Sequence, residues 1–278
     1  MRFESTSIPL ASWLRRHPLL GYFTLAFGIA WIGILIVLTA HGFNLATLQP
    51  LDTGVMFVAM LLGPSTSGLM LTALLQGRGG MRQLWSRLIH WRVNATWYAV
   101  ALLTAPLILL AILWPLSLLV EPAFAPRFQW ALIGVGLVAG CFEEIGWTGF
   151  ATPRLLARQH VGMAGLSLGL IWASWHVLVA FLYSFNTMGS AWILSFAIVY
   201  VATLTPYRML MTWVYVSTQS VLLAVLMHAS YTGWLLAVFP AASLTQSLLW
   251  QSAFAVVLWV AAAATCNDLR LRPKWQGK

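Results

Sequence analysis

Glu143 and Glu144 stand side by side in CFEEIGWTGF (141–150), inside a stretch otherwise almost free of charge. Two histidines share that setting, His176 in GLIWASWHVLVAFLY and His228 in SVLLAVLMHASYTGW. The remaining acidic residues (Glu4, Asp52, Glu121, Asp268) and histidines (His17, His41, His90, His160) fall in expected loops, tails or the ends of apolar runs. A carboxylate with a histidine partner can deprotonate water for attack on a peptide carbonyl, while a second histidine and a hydroxyl stabilise the oxyanion. The same groups, Glu143, His176 and His228, could instead bind zinc, which would activate the water. The H-E-x-x-H helix motif is absent and the candidate ligands fall on three different helices, so spacing does not test the metal. The metal-free account is preferred, with zinc as the alternative.

Helical phase assigns these groups different roles. Neighbours on a helix point about 100° apart, so one glutamate is expected to face a cavity and the other to be held by a partner or to stay protonated. Thr148 follows Glu144 by one turn and Trp147 follows Glu143. Thr232 shares the face of His228, and Trp172 precedes His176 by one turn. Glu143, His176, His228 and Thr232 are therefore expected to line one cavity, walled by Trp147 and Trp172, with Glu144 turned partly away toward Thr148. With no cation in view beside them, two adjacent carboxylates in low dielectric are not expected to ionise together.

The elements that carry these residues must be membrane helices. Of the 278 residues, 60% are hydrophobic and 8% charged, against about 25% charged in soluble domains, and the mean hydropathy is +0.83. Two cysteines, Cys141 and Cys266, are too few for a disulfide framework or a metal cluster. The net charge of +9 does not indicate nucleic acid, because the basic residues form no aromatic-interleaved patch and cluster at the ends of apolar runs.

Apolar windows predict an all-α, polytopic membrane protein of about eight spans, near 19–40, 53–75, 96–118, 129–152, 163–184, 190–207, 219–239 and 247–265. The sixth is expected to end at TPYR (205–208), which puts Arg208 in a loop. GPSTSG (63–68) reads as a kink or, preferably, a packing notch. With both termini cytoplasmic, every Lys and Arg except Arg127 falls inside, which sets the orientation in a cell membrane. Glu143 and His228 then lie about nine residues, and His176 about thirteen, from cytoplasmic span ends, roughly 14–20 Å deep. The cavity is expected to open toward the cytoplasm. Arg154 and Arg158 would border that mouth, where Arg154 attracts a substrate carboxylate or serves only as a positive-inside anchor. Residues 1–124 read as N-terminal membrane helices, 125–240 as the catalytic core, and 241–278 as a last helix with a basic tail.

EEIGWTGFATPRL (143–155), IWASWH (171–176) and SVLLAVLMHASYT (220–232) resemble, in order and spacing, the three motifs of the CPBP (ABI) intramembrane proteases. That family includes the type II CAAX prenyl endopeptidases and the lysostaphin-resistance-protein-A-like proteins. The resemblance covers roughly 125–240. It implies that Glu143 is the base with His176 assisting, that Glu144 supports, and that His228 helps form the oxyanion site. Two positions depart from the family pattern: its Arg, four residues after the second glutamate, is Thr148, and its Asn is Thr232.

The implied activity is endoproteolysis of a membrane-associated peptide or protein, the lipid bilayer being the other partner. The departures keep open a catalytically silent member acting in bacteriocin immunity or as a scaffold. A proton-coupled transporter that uses the same groups as a relay is the other alternative. No repeated halves or paired broken helices favour it.

Overall fold

The computed structural model describes residues 9–265, all helix and connecting loop with no strand among them. Arg2, Glu4 and the tail from 266 to 278, including Cys266, Asp268, Arg270, Arg272, Lys274 and Lys278, lie outside the described residues. A short α1 (Pro9–Arg16) leads into α2 (Pro18–Ala40), α3 (Pro50–Leu88) and α4 (Ala95–Leu119). Next comes α5 (Leu132–Gly146), which passes through a π-helical stretch (Trp147–Ala151) into α6 (Thr152–Leu156). α7 (Val161–Trp175) and α8 (Val177–Met188) follow. α9 (Trp192–Phe196) runs through a second π-helical stretch (Ala197–Ala202) into α10 (Thr203–Thr218), and α11 (Val221–Ala237) and α12 (Leu244–Ala264) complete the bundle.

Among the described residues, five segments are long and apolar enough to cross a bilayer: Pro18–Ala40, Pro50–Leu88, Ala95–Leu119, Gly189–Thr218 and Leu244–Ala264. The chain is thus an all-α polytopic membrane protein. Three of the expected spans differ in form. The stretch 129–152 is broken by the first π turn, 163–184 is interrupted at His176, and α11 has only 17 residues. The first two interruptions lie at or beside the residues singled out for chemistry, where π-bulges and helix breaks are common.

The expected end of the sixth span at TPYR is corrected. Pro206 lies inside α10, just after the π stretch, and does not end the helix. The helix continues to Thr218 and turns at Gln219, which has φ 54°. Arg208 is therefore a fully buried helix residue and not a loop residue. α3 likewise runs past residue 75 to Leu88, with non-helical geometry at Gly77 (φ 61°). Trp250 on α12 is fully buried.

Small residues let the site-bearing helices approach closely, the usual device where lipid removes the hydrophobic drive for helix pairing. α5 packs chiefly on α11. A Cβ added at Gly136 would lie 2.5 Å from the Ala229 carbonyl oxygen, and one at Gly140 2.6 Å from that of Val225. GPSTSG is a packing notch: α3 passes so close to α5 there that a Cβ at Gly146 would meet the Pro64 carbonyl oxygen at 2.2 Å.

The two ends of the bundle differ in charge. One end carries Arg15, Arg16, Arg78, Arg82, Arg87, Arg92, Arg154 and Arg158. There Arg87 donates to the Tyr215 hydroxyl (2.8 Å) and the Gly149 carbonyl (3.0 Å), and the Ser220 hydroxyl donates to the His90 carbonyl (2.6 Å). The other end holds Asp52 in the first turn of α3, and Glu121 and Arg127 between α4 and α5. There His41 pairs with Asp52, and the Gln129 amide donates to the Ala237 carbonyl (2.8 Å).

Candidate active site

α5 delivers Glu143 and Glu144 to the centre of the bundle, both buried. Their difference in phase becomes a difference in partners. Glu143 Oε2 accepts two indole N–H bonds, from Trp147 (3.2 Å) on the same helical face and from Trp172 (2.9 Å) on α7. Its other oxygen, Oε1, faces His228 Nε2 at 3.9 Å. That separation is too long for a direct hydrogen bond.

Glu144 turns the other way into a fully enclosed polar knot. Its Oε2 accepts from the Thr148 hydroxyl, one turn on. Its Oε1 accepts from His228 Nδ1 at 2.7 Å. Arg208 closes the knot with a two-pronged ion pair, Nη1 to Oε2 and Nη2 to Oε1, both at 2.8 Å. The expectation that no cation stands beside the carboxylates is corrected, and with it the reason for expecting that the two cannot ionise together. Arg208 escaped the sequence reading because it lies 64 residues from Glu144 and was assigned to a loop. Its charge inside an apolar run was the available signal, since an intramembrane ionisable residue is functional by default.

Trp172 ties the site together. Its indole N–H holds Glu143, its ring lies 4.2 Å beneath the Arg208 guanidinium, and its edge meets the His228 ring at 5.1 Å. His176 caps α7, and its Nδ1 donates to the Trp172 carbonyl at 2.9 Å. A carbonyl only accepts, so Nδ1 carries a proton and Nε2 is left for other partners. The same logic applies to His228, whose Nδ1 donates to the acceptor-only Glu144 carboxylate.

Glu143, Trp172, Trp175, His176, His228 and Thr232 line a single cavity of about 320 Å³. Glu144 is outside it. Trp147 does not line it either: its ring is fully buried against Tyr22, Phe23 and Trp175, so it braces Glu143 from behind. Tyr200 and Tyr231, not singled out from the sequence, also border the cavity.

The expected arginine-bordered mouth is corrected. The cavity continues past Ala139, Met60, Val179 and Leu235 to Ile34, Thr53, Phe57 and Leu236, at the end of the bundle opposite the arginines. Arg154 is not in it; the side chain folds back, donating to the Phe150 carbonyl at 2.8 Å and lying 3.5 Å over the Phe150 ring. Counting residues along a helix gives depth from either surface but not which half is hollow. Here the basic half is filled by Trp147, Phe150, Tyr215 and Leu84, all buried.

Among the described residues, no three His, Cys, Asp or Glu side chains form a group able to hold a metal. The atoms left for a metal are Glu143 Oε1 and Nε2 of His176 and His228, each histidine being held through Nδ1 as metal-binding histidines are, and the steps below are derived from the side chains alone.

Residues 125–234 match the family model for type II CAAX prenyl endopeptidases, Rce1-like. That segment resembles the Rce1-like family. A curated relative, CAAX prenyl protease 2 of Methanococcus maripaludis, is 28% identical over 97 residues. The match spans about a third of each protein, 33% of this chain and 35% of the relative. Both findings support the CPBP family recognised from the motifs. The matched segment contains Glu143, Glu144, Trp172, His176, Arg208, His228 and Thr232, while α2 and α3 contribute the facing cavity wall.

Proposed function

We propose that the chain is an intramembrane endopeptidase that hydrolyses a peptide bond of a membrane-associated polypeptide with Glu143 as the base. The observation that carries this reading is the split role of the Glu143 carboxylate. One oxygen is held by two indole N–H groups, and the other faces His228 Nε2 across 3.9 Å in an otherwise apolar cavity. A water oxygen about 2.8 Å from each fits the apex of that span. Glu143 Oε1 takes the water proton as its oxygen attacks the substrate carbonyl, and the proton passes to the leaving amine. His228, kept Nδ1-protonated by Glu144, donates from Nε2 to the oxyanion when its ring is the imidazolium, and the Thr232 hydroxyl is a second donor on the same face. The Nε2 atom of His176 assists the proton transfers. The name of the Methanococcus relative points to prenylated CAAX substrates; for this chain the proposal stops at a membrane-associated peptide or protein.

The silent-relative reading rested partly on the missing family arginine, and the buried Arg208 on Glu144 weakens that support. The test compares membrane peptides from cells expressing the wild type and Glu143→Gln, which keeps an oxygen for the indoles but no base. We expect at least one peptide product to fall about 10²–10⁴-fold in rate of appearance, the range for losing a general base. An unchanged peptide profile overturns the proposal.

A further inference from the structure

We infer that Arg87 and Arg154 form a binding site for a phosphate oxyanion, and that the headgroup of an anionic lipid fills it. The site lies apart from the cavity at Glu143 and does not depend on the proposed reaction.

The two guanidinium groups are fixed side by side. Arg87, near the end of α3, donates to the Gly149 carbonyl at 3.0 Å, and Arg154, on α6, donates to the Phe150 carbonyl at 2.8 Å. These carbonyls are consecutive in the π-helical stretch Trp147–Ala151. Each group has a second hold, Arg87 on the Tyr215 hydroxyl at 2.8 Å and Arg154 on the face of the Phe150 ring at 3.5 Å. They are near enough that the Arg87 charge opposes that of Arg154. Both residues are half-buried. Like charges so placed are disfavoured by repulsion and by lost hydration unless an anion completes them.

No carboxylate among the described residues does so. Asp52 and Glu121 lie at the opposite end, Glu144 is taken by Arg208, and Glu143 is held by Trp147 and Trp172. What remains is a surplus of donors. An arginine carries five N–H groups, of which Arg154 spends one on the described residues. The Tyr215 hydroxyl accepts from Arg87, so its own proton is left to donate. Planar forks of N–H donors match phosphate oxygens, which take them in pairs.

Position selects the source of the phosphate. Arg87 is one residue from the end of α3, and Arg154 lies in the last turn of α6. Trp85 and Trp91 flank Arg87 in the sequence and are exposed, as residues of the aromatic belt at headgroup level are. That depth favours a lipid phosphate over a soluble one. Two cations without a carboxylate favour a headgroup of net negative charge. Bound there, the headgroup would brace α3 against the π turn that directly follows the glutamates.

The test uses the purified full chain in a neutral detergent, with tryptophan fluorescence following thermal unfolding. Added phosphatidylglycerol should raise the unfolding temperature saturably, by about 5 °C or more once the site is filled, as a ligand far above its Kd does for a chain of this size. Phosphatidylcholine, and inorganic phosphate at matched ionic strength, should give no such shift. Arg154→Gln should raise the lipid concentration for half-saturation at least about tenfold, the effect of losing charge-assisted hydrogen bonds. Arg78→Gln, at an exposed position earlier on α3, should leave it unchanged. Equal effects of the two variants, or none from either, assign the shift to general charge and overturn the site. An equal response to phosphatidylcholine overturns the anionic chemistry, and a response to inorganic phosphate alone overturns the lipid as its source. No response to any of the three overturns the binding. If Arg154→Gln does not fold, Arg154→Lys, which keeps the charge but not the fork, must weaken half-saturation severalfold against Arg78→Gln, and equal values overturn the site.

Discussion

At the scale of single residues, the site works by assigning each carboxylate oxygen one task. Glu144 has both oxygens saturated by Arg208, Thr148 and His228, so in the proposed mechanism it orients His228. Arg208→Met should leave that carboxylate buried without its cation, costing about 3–5 kcal/mol, the usual penalty for breaking a buried pair. Thermal unfolding in detergent measures it. Adding Thr148→Arg to Arg208→Met should recover part of the loss, because the Thr148 hydroxyl already lies 3.5 Å from Arg208 Nη1 and a guanidinium from either helix reaches the same carboxylate. No recovery would mean that Arg208 acts through packing alone. Trp172→Phe keeps a ring beneath Arg208 but removes the 2.9 Å bond to Glu143. We expect kcat to fall by the worth of one hydrogen bond to a charged group, about 1.5–3 kcal/mol, with KM little changed.

At the scale of elements, the spacing between α5 and α11 decides whether Glu143 and Glu144 meet His228. Gly136 and Gly140 permit that spacing, and a side chain at either meets α11 backbone and not a flexible tip. Gly140→Val should force the helices apart, with a cost of several kcal/mol and loss of the 2.7 Å Glu144–His228 bond. Gly134→Ala on the same helix has nothing within 4 Å and should be neutral within about 0.5 kcal/mol or stabilising. Parallel melting curves of the two variants test whether close approach, and not helix propensity, explains the glycines. The π turn after Gly146 is the second device at this scale. It resets the helical phase directly after the glutamates, so that Trp147, Thr148 and Phe150 all turn inward and are buried.

At the scale of the molecule, one end is bolted and the other hollow. Arg87 joins α3 to α10 and to the π turn of the α5–α6 segment through Tyr215 and the Gly149 carbonyl. Arg87→Ala should lower stability by about 1–3 kcal/mol, because the Tyr215 hydroxyl and Gly149 carbonyl lose a donor in a partly buried seam. Tryptophan-fluorescence unfolding in detergent reads this out.

The sequence by itself determined the solvent and the local pairings. Low charge and long apolar runs leave helices in a bilayer as the outcome, since backbone groups there must be satisfied within the segment. The pairs Glu144–Thr148 and Glu143–Trp147 were legible because helical geometry brings residues four apart together whatever surrounds the helix. Tertiary structure alone decided the rest. Helices apolar on every side give no sign of their rotation, so the sequence could not show that Arg208 on α10 turns inward to Glu144. Nor could it show that Arg154 folds onto Phe150 instead of lining a mouth. Depth along a helix is symmetric between the two surfaces. Which half is filled depends on how Trp147, Phe150 and Tyr215 pack together from separate helices, and that packing left the hollow on the side away from the arginines.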